Sequence, residues 1–179
     1  MRKTLTAVAL ALACGSPALA QSNRGAFGVD AMLTPTTGLG FAYYVTDGLS
    51  VRPWLSVGYS GMEGFFGNVG GQVRYEFGAG WTVSPYLSGS AQYVFSETTP
   101  LPPPGAAGSP ALAEESSGGQ VGAGAGLRLR VAESLSIFTE GRVFYATYPM
   151  SGARTGWSTF ELGTHSRGEI VFGVTYLFR

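Results

Sequence analysis

Apolar and polar residues alternate with a period of two along most of this chain. In the segment 49–60, the odd positions are mostly large and apolar, while the even positions are mostly small or polar. Successive side chains of a β-strand point to opposite faces, so this period predicts a strand whose two faces differ in chemistry. Helical periodicity is hard to find after residue 20. The pattern therefore predicts an all-β protein.

The same alternation recurs often enough to predict eight strands. They lie within 27–33, 39–45, 49–60, 69–78, 82–95, 120–131, 135–145 and 169–178. Their lengths are close to the roughly 9–11 residues with which a tilted strand crosses a bilayer. An even number of strands, eight or more, is also what closed bacterial transmembrane barrels require.

The connections between these strands fall into two classes. Tight turns at 46–48, 79–81 and 132–134 alternate with longer segments at 34–37, 61–68, 96–117 and 148–166. Outer-membrane barrels have short periplasmic turns at one rim and longer extracellular loops at the other. The spacing therefore predicts a barrel with a turn rim and a loop rim.

The two faces of the strands can be assigned by volume. The interior of an eight-stranded barrel is only just wide enough for side chains to fill, and the row of Leu, Val, Tyr and Phe would overpack it. We therefore place the bulky row against lipid and the row of Gly, Ser, Arg and Glu in the lumen. The prediction is an eight-stranded antiparallel up-and-down transmembrane β-barrel; the alternative is a soluble barrel or sandwich with its faces reversed.

Aromatic residues gather at the strand ends, where membrane barrels carry two interfacial girdles. The predicted girdle residues are Tyr43, Phe77, Trp81, Tyr176 and Phe178 at the turn rim, and Tyr59, Tyr93 and Tyr145 at the loop rim.

Charged residues in the inward row predict an ion-pair network in the lumen. A buried charge costs several kcal/mol, to order of magnitude, unless it is paired and hydrogen-bonded. Hairpin register predicts that Arg52 lies near Glu76 and that Arg128 lies near Glu140. The alternative is a narrow ion path that opens when pairs exchange partners. The predicted lumen residues are Asp30, Arg52, Arg74, Glu76, Arg128, Arg130, Glu140 and Arg142, with Glu169 in the same row.

The N-terminus has the features of an export signal. Arg2 and Lys3 precede a short apolar run, and Ala18-Leu19-Ala20 forms a small-residue cleavage site. We predict a cleaved signal peptide at 1–20 and a barrel domain at 21–179. Cys14 offers a lipoprotein alternative. Residues 21–179 contain no cysteine, which excludes a disulfide scaffold there.

Composition excludes two other classes of protein. Charged residues make up 12% of the chain and the formal net charge is zero, which gives no basis for nucleic-acid binding. A mean hydropathy of +0.16 argues against disorder.

Several strand sequences resemble those of OmpA-like and OmpX-like outer-membrane β-barrels. They are PWLSVGY at 53–59, PYLSGSAQY at 85–93, GAGAGLRLR at 122–130 and LSIFTEGR at 135–142, the last with the Glu140-x-Arg142 pair that these families often carry. The resemblance implies an outer-membrane location in contact with outer-membrane lipid and lipopolysaccharide. It also implies that the last strand, 173–178, is recognised by the barrel assembly machinery, although the chain ends in Arg179 instead of an aromatic residue.

We expect a structural or surface-interaction role, namely membrane integrity, adhesion or recognition through extracellular loops. The Pro-rich loop 96–117 would meet a host or phage surface. We expect no catalytic residue, no cofactor and no metal. A small pore is one alternative. A lipid A-modifying hydrolase using His165, Ser166 and Glu169 is another, although adjacent strand residues point to opposite faces.

Overall fold

The computed structural model describes residues 22–33, 37–60, 64–98, 114–147, 159–163 and 165–178. The predicted signal peptide and the tips of the predicted loops lie outside these residues. Across the part of the chain so described, no helix is long and apolar enough to cross a membrane.

The described residues form nine β-strands. Their bounds are β1 Phe27–Leu33, β2 Thr37–Tyr44, β3 Leu49–Ser60, β4 Gly64–Glu76, β5 Val83–Thr98, β6 Glu114–Arg130, β7 Leu135–Ala146, β8 Thr159–Gly163 and β9 Ser166–Phe178.

Eight of these strands close into a barrel. Strands β1 to β7 pair in sequence order, and β9 pairs with β7 on one edge and with β1 on the other. Every pairing in the wall is antiparallel. Closure lets the backbone groups of the wall bond to a neighbouring strand, which a spanning sheet requires in hydrocarbon. The predicted barrel is confirmed.

The short strand β8 is an addition to the predicted architecture. It pairs with residues 166–169 of β9, on the edge whose later residues, 172–178, pair with β1. Because β1 ends at Leu33, it leaves the first residues of β9 without a partner on that edge, and β8 pairs with them nearer the loop rim. The sequence interpretation had placed this segment in a loop.

Two prolines interrupt the alternation, and the ladder accommodates each one differently. Between β2 and β3 the described pairs stop at Gly40↔Trp54 and resume at Tyr43↔Val51, a gap that contains Pro53. Pro85 lies opposite the end of β4, where its carbonyl accepts a hydrogen bond from the Phe77 N–H at 2.8 Å. The missing N–H groups therefore fall at a local gap and at a strand end.

The bulky side chains point outward and the charged ones point inward. Leu55 is 52% exposed and Phe172 is 40% exposed, whereas Arg74 is 1% exposed. A soluble barrel would bury the large apolar side chains instead. The outward assignment made from volume is confirmed.

The strands at the loop rim are longer than the alternation predicts. β4 begins at Gly64, β5 continues to Thr98 and β6 begins at Glu114, so the predicted loops 61–68 and 96–117 are shorter than expected. Backbone hydrogen bonds pair two strands whatever their side chains are, so the ladder continues beyond the apolar band. In β5 and β6 these added residues read SET at 96–98 and EESS at 114–117, without an apolar row, so the alternation gives no signal for them.

A turn carboxylate fastens the segment before β1 to the turn rim. Asp47, in the β2–β3 turn, accepts hydrogen bonds from the Ser22 hydroxyl at 2.7 Å, the Asn23 N–H at 2.7 Å and the Arg24 N–H at 3.2 Å. The chain turns at Gly25, whose φ of +77° favours glycine. The Ser22 bond, followed by the two backbone bonds, lowers the pKa of Asp47 below its ordinary value of 3.8.

Because the folded pKa of Asp47 lies below its unfolded value, ionised Asp47 stabilises the docked segment at neutral pH. This stabilisation is lost as the pH falls through the folded pKa. We expect an NMR titration of the Asp47 carboxyl carbon in detergent micelles to give a pKa below 3.8. Ser22→Ala should raise that pKa, and Ser134→Ala, in the β6–β7 turn, should not move it. An unchanged pKa in Ser22→Ala would contradict the assigned cause.

Candidate functional site in the barrel lumen

The structure buries all eight residues of the predicted lumen network. The barrel wall surrounds them, and each side chain occupies an inward position of its strand. These residues are Asp30, Arg52, Arg74, Glu76, Arg128, Arg130, Glu140 and Arg142.

The first group of contacts, the Glu76 cluster, comprises Asp30, Tyr44, Arg52, Glu76 and Arg128. Arg52 pairs with Asp30 at 2.7 Å and approaches Glu76 at 3.8 Å, while Arg128 pairs with Glu76 at 2.8 Å. The Tyr44 hydroxyl accepts hydrogen bonds from both guanidinium groups, at 2.8 and 3.0 Å, and donates one to Glu76 at 3.2 Å. One phenol therefore joins two arginines and a carboxylate.

The second group, the Glu140 cluster, lies nearer the loop rim. Its members on β4 come two and four residues before Glu76. Glu140 pairs with Arg142 at 2.8 Å and with Arg74 at 3.2 Å. The Glu140 carboxylate also accepts hydrogen bonds from three neutral side chains: Gln72 at 2.7 Å, Ser88 at 2.6 Å and Tyr86 at 3.0 Å.

One predicted pairing is wrong. Hairpin register suggests that Arg128 meets Glu140, but Arg128 pairs with Glu76 across the intervening strand β5. In the β6–β7 ladder Glu140 lies opposite Gly126, and Arg128 lies opposite Phe138, one inward position nearer the turn rim. Glu140 pairs instead with Arg74 and Arg142. In a narrow lumen, a charged side chain can pair with one on a distant strand across the barrel as well as with one on the neighbouring strand of its hairpin.

Aromatic rings share the lumen with these charges. The Arg74 guanidinium carbon lies 4.0 Å from the centre of the Tyr86 ring and 4.6 Å from that of Phe138. Arg142 lies 5.5 Å from the centre of the Trp54 ring. A cation over an aromatic face is attracted by the ring quadrupole, more strongly where water is excluded. The rings therefore stabilise the arginines as well as filling space.

Glycines on neighbouring strands make room for the rings. A Cβ atom at Gly126 would collide with the Tyr86 ring, and one at Gly173 would collide with the Phe138 ring. The inward glycines of β6 have a similar role: Gly122 lies against the ring of Phe144, Gly124 against the carboxylate of Glu140 and Gly126 against the ring of Tyr86.

The β4–β5 turn lies close to the lumen at the turn rim. The Ala79 carbonyl accepts hydrogen bonds from Arg130 at 2.9 Å and from Arg128 at 3.3 Å. Ala26, Ala42, Tyr44 and Leu177 form an apolar cluster that is also at this end of the barrel. Side chains thus pack the lumen from the turn rim to the Glu140 cluster.

The described lumen carries more positive than negative charge. Five arginines are buried there, against three acids, while Glu169 is half-buried and lies 3.6 Å from Arg142. The chemistry of these groups suits charge pairing and a preference for anions. Across the described residues, no group of three or more His, Cys, Asp or Glu side chains is arranged to hold a metal ion.

The structure places most of the predicted girdle residues on the outer surface. At the turn rim, the Tyr176 and Phe178 rings meet edge to face with centroids 5.2 Å apart. The side chain of Tyr59 lies outside the described residues. The exposed girdle residues are Tyr43, Phe77, Trp81, Tyr93, Tyr145, Tyr176 and Phe178.

The residues of the hydrolase alternative lie at the loop rim. His165 packs on the Tyr145 ring at a centroid distance of 5.8 Å, and Ser166 begins β9 opposite Tyr145. The His165 Nδ1 atom is buried without a hydrogen-bond partner among the described residues. A catalytic histidine of a triad needs an acceptor at that nitrogen to orient it.

Sequence reasoning missed the neutral members of the two clusters. The parity of the strands places Tyr44, Trp54, Gln72 and Tyr86 in the inward row, so the signal for their direction was present. Their roles as bridging donors and ring platforms depend on which strands face one another across the lumen. Phe138 and Phe144, which break the polar row, are both buried inside.

Comparisons with known proteins agree with this architecture. Residues 23–142 match the family model described as the autotransporter beta-domain. None of the curated proteins matches the sequence significantly.

Three solved structures share the fold. The N-terminal β-barrel domain of Pseudomonas aeruginosa OprF is 13% identical, with a TM-score of 0.64 over 88% of this chain and 100% of that one. Neisserial surface protein A is 14% identical, with a TM-score of 0.53 over 86% and 94%. A major outer membrane protein from Thermus thermophilus is 16% identical, with a TM-score of 0.52 over 86% and 98%.

The Glu140 cluster leads to a test of buried charge pairing. Glu140→Gln leaves Arg74 and Arg142 without their shared counter-charge, and we expect a loss of about 3 kcal/mol in the free energy of unfolding. The measurement is urea unfolding of the barrel in lipid vesicles. Glu133→Gln, in the exposed β6–β7 turn, should change stability by less than about 0.5 kcal/mol. Equal stabilities for the two variants would refute the pairing.

The fit between glycine and ring leads to a second test. Gly126→Ala forces a Cβ atom against the Thr139 carbonyl oxygen and the Tyr86 ring, and overpacking of this kind costs about 1–3 kcal/mol. Gly89→Ala places its Cβ on the outer face of β5 in open space, so it should be nearly neutral. Urea unfolding in the same vesicles compares them. A neutral Gly126→Ala would mean that the lumen is looser than the structure indicates.

Proposed function

We propose that this chain, which belongs to the autotransporter β-domain family, is a non-catalytic barrel that presents its β5–β6 hairpin at the cell surface for contact with other surfaces. The chain is an outer-membrane β-barrel protein, and its outward apolar side chains provide the surface that meets lipid. The surface role is the part we propose.

The height of the β5–β6 hairpin is the observation that carries the proposal. β5 has 16 residues, which at about 3.3 Å per residue and a tilt of about 40° rise about 40 Å. The apolar band of such barrels is about 25 Å tall. β1, with 7 residues, rises only about 18 Å on the same estimate. The hairpin therefore extends beyond the membrane at the loop rim, while the opposite side of the wall stays low.

The chemistry of the hairpin end supports contact with water and with another surface. Residues 96–98 and 114–117 read SET and EESS, without the apolar row of the membrane band. The two strands remain paired to Thr98↔Glu114. The pairing fixes Thr98 and Glu114, the two ends from which residues 99–113 are presented, and this favours recognition over simple shielding of the rim.

The likeness to OmpA-like and OmpX-like barrels belongs to the same proposal. Eight wall strands and unequal rims support it, while the family model that matches is that of the autotransporter beta-domain. We further propose that β9 is the strand recognised by the assembly machinery and that residues 1–20 are removed on export.

A small anion pore is the second candidate, and one observation favours it. The excess of buried arginine over buried acid would make any open path through the lumen selective for anions. The packing of Tyr86, Phe138 and Trp54 around the arginines favours a closed lumen.

We expect replacement of residues 99–113 by a short Gly-Ser turn to abolish adhesion of expressing cells to cultured epithelial cells. The same replacement at 34–36, on the low side of the wall, should leave adhesion unchanged. Mobility of unheated samples on gels and surface labelling confirm folding and export of both variants. Adhesion that survives the replacement of 99–113 would overturn the surface role. In planar bilayers the full barrel should give no steps, and anion-selective steps would favour the pore.

A further inference from the structure

A groove opens on the lipid-facing side of the barrel near the loop rim. Its volume is about 400 Å³, and it runs along β6 between the neighbouring strands β5 and β7. The residues that line it are Val69, Ala91, Gln92, Tyr93, Gly119, Gln120, Val121, Tyr145 and Thr147.

The groove exists because one outward position has no side chain. Gly119 lies opposite Tyr93 in the β5–β6 ladder, and its carbonyl accepts a hydrogen bond from the Thr147 N–H at 3.0 Å. A Cβ atom built on Gly119 would meet only the Thr147 hydroxyl oxygen, at 4.0 Å. Tyr93 on β5 and Tyr145 on β7 therefore flank a strip of β6 that no side chain covers at Gly119.

The polar atoms near the groove already have partners. The Thr147 hydroxyl donates to the Gly119 carbonyl at 3.2 Å. The side chains of Gln92 and Gln120 occupy inward positions, where the Gln92 amide donates to the Gln120 oxygen at 2.7 Å, away from the lipid-facing surface. What remains for an occupant is the apolar surface of Val69, Val121 and the tyrosine rings. Such a strip fits a narrow, linear and apolar group.

The position of the groove identifies the leaflet that supplies its occupant. Tyr93 and Tyr145 lie at the loop rim, which faces outward in outer-membrane barrels, so the groove opens into the outer leaflet. It is continuous with the exposed apolar face that meets lipid. Lipopolysaccharide is the lipid of that leaflet, and it carries several acyl chains on one headgroup. One chain can occupy the groove while the others pack against the smoother wall beside it.

We propose that this groove is a specific site for one acyl chain of lipopolysaccharide, with the hydroxyls of Tyr93 and Tyr145 directed toward the headgroup region. Tyrosine favours this level because its ring is apolar and its hydroxyl is polar. The site rests on the outer-membrane location and not on the surface role of the β5–β6 hairpin.

Gly119→Leu tests the site by filling the strip with a side chain. We expect native mass spectrometry of the detergent-purified full barrel, incubated with purified lipid A, to show one retained lipid A per protein. Gly119→Leu should lower the retained fraction at least fivefold. Gly141→Leu is the matched control, because Gly141 also faces outward with open space around it but does not line the groove. This control should retain lipid A like the unchanged protein.

Several outcomes would overturn the proposal. Equal retention in Gly119→Leu and Gly141→Leu would show that the groove does not select the lipid. Equal retention of phosphatidylethanolamine and lipid A would replace the specific site with general lipid contact. A dimer that Gly119→Leu dissociates would assign the groove to a second copy of the chain. If Gly119→Leu fails to fold, Tyr93→Ala removes one wall instead, and undiminished retention in that variant would refute the site.

Discussion

The structure depends on the need to pair every polar group in a wall that has hydrocarbon on one side and a narrow lumen on the other. The backbone meets this need by closing β1 against β9, so that each of the eight wall strands pairs with two neighbours. The charged side chains meet it through Glu76 and Glu140, each of which pairs with two arginines. Without these carboxylates, the inward arginines would repel one another in a region of low dielectric.

The small diameter of the barrel determines how those charges are packed. A lumen bounded by eight strands is only just wide enough for side chains to fill, so a large ring such as that of Tyr86 requires glycine on a neighbouring strand. This requirement accounts for part of the unusual content of 28 glycines. The rings in turn lie over Arg74 and Arg142, which joins the apolar and the charged parts of the lumen into one packed unit.

The two rims of the barrel differ in how their segments are held. At the turn rim, Asp47 holds the segment before β1, and Ala79 is held by Arg128 and Arg130. At the loop rim, the β5–β6 ladder continues to Thr98↔Glu114 while β7 ends opposite Gln120, and Gly119 leaves an apolar strip open toward lipid. A fixed turn rim and an elaborated loop rim are consistent with a protein whose interactions take place at the outer surface.

Strand direction, the number of strands in the barrel wall and the choice of outward face were all predictable from the sequence. They follow from the parity of residues along each strand, which is a local property, and from the volume that an eight-stranded lumen can hold. The residues of the ion network, from Asp30 to Arg142, were identifiable for the same reason.

The partners of those residues, such as Glu76 for Arg128, were decided by the tertiary structure. Contacts across a barrel depend on the stagger between strands far apart in sequence, which parity does not encode. The same holds for the strand ends beyond the lipid, for β8, and for the groove at Gly119, which exists only because three strands place Tyr93, Gly119 and Tyr145 side by side. The sequence by itself determined which side of the wall each residue occupies, and closure of the sheet decided which residues meet.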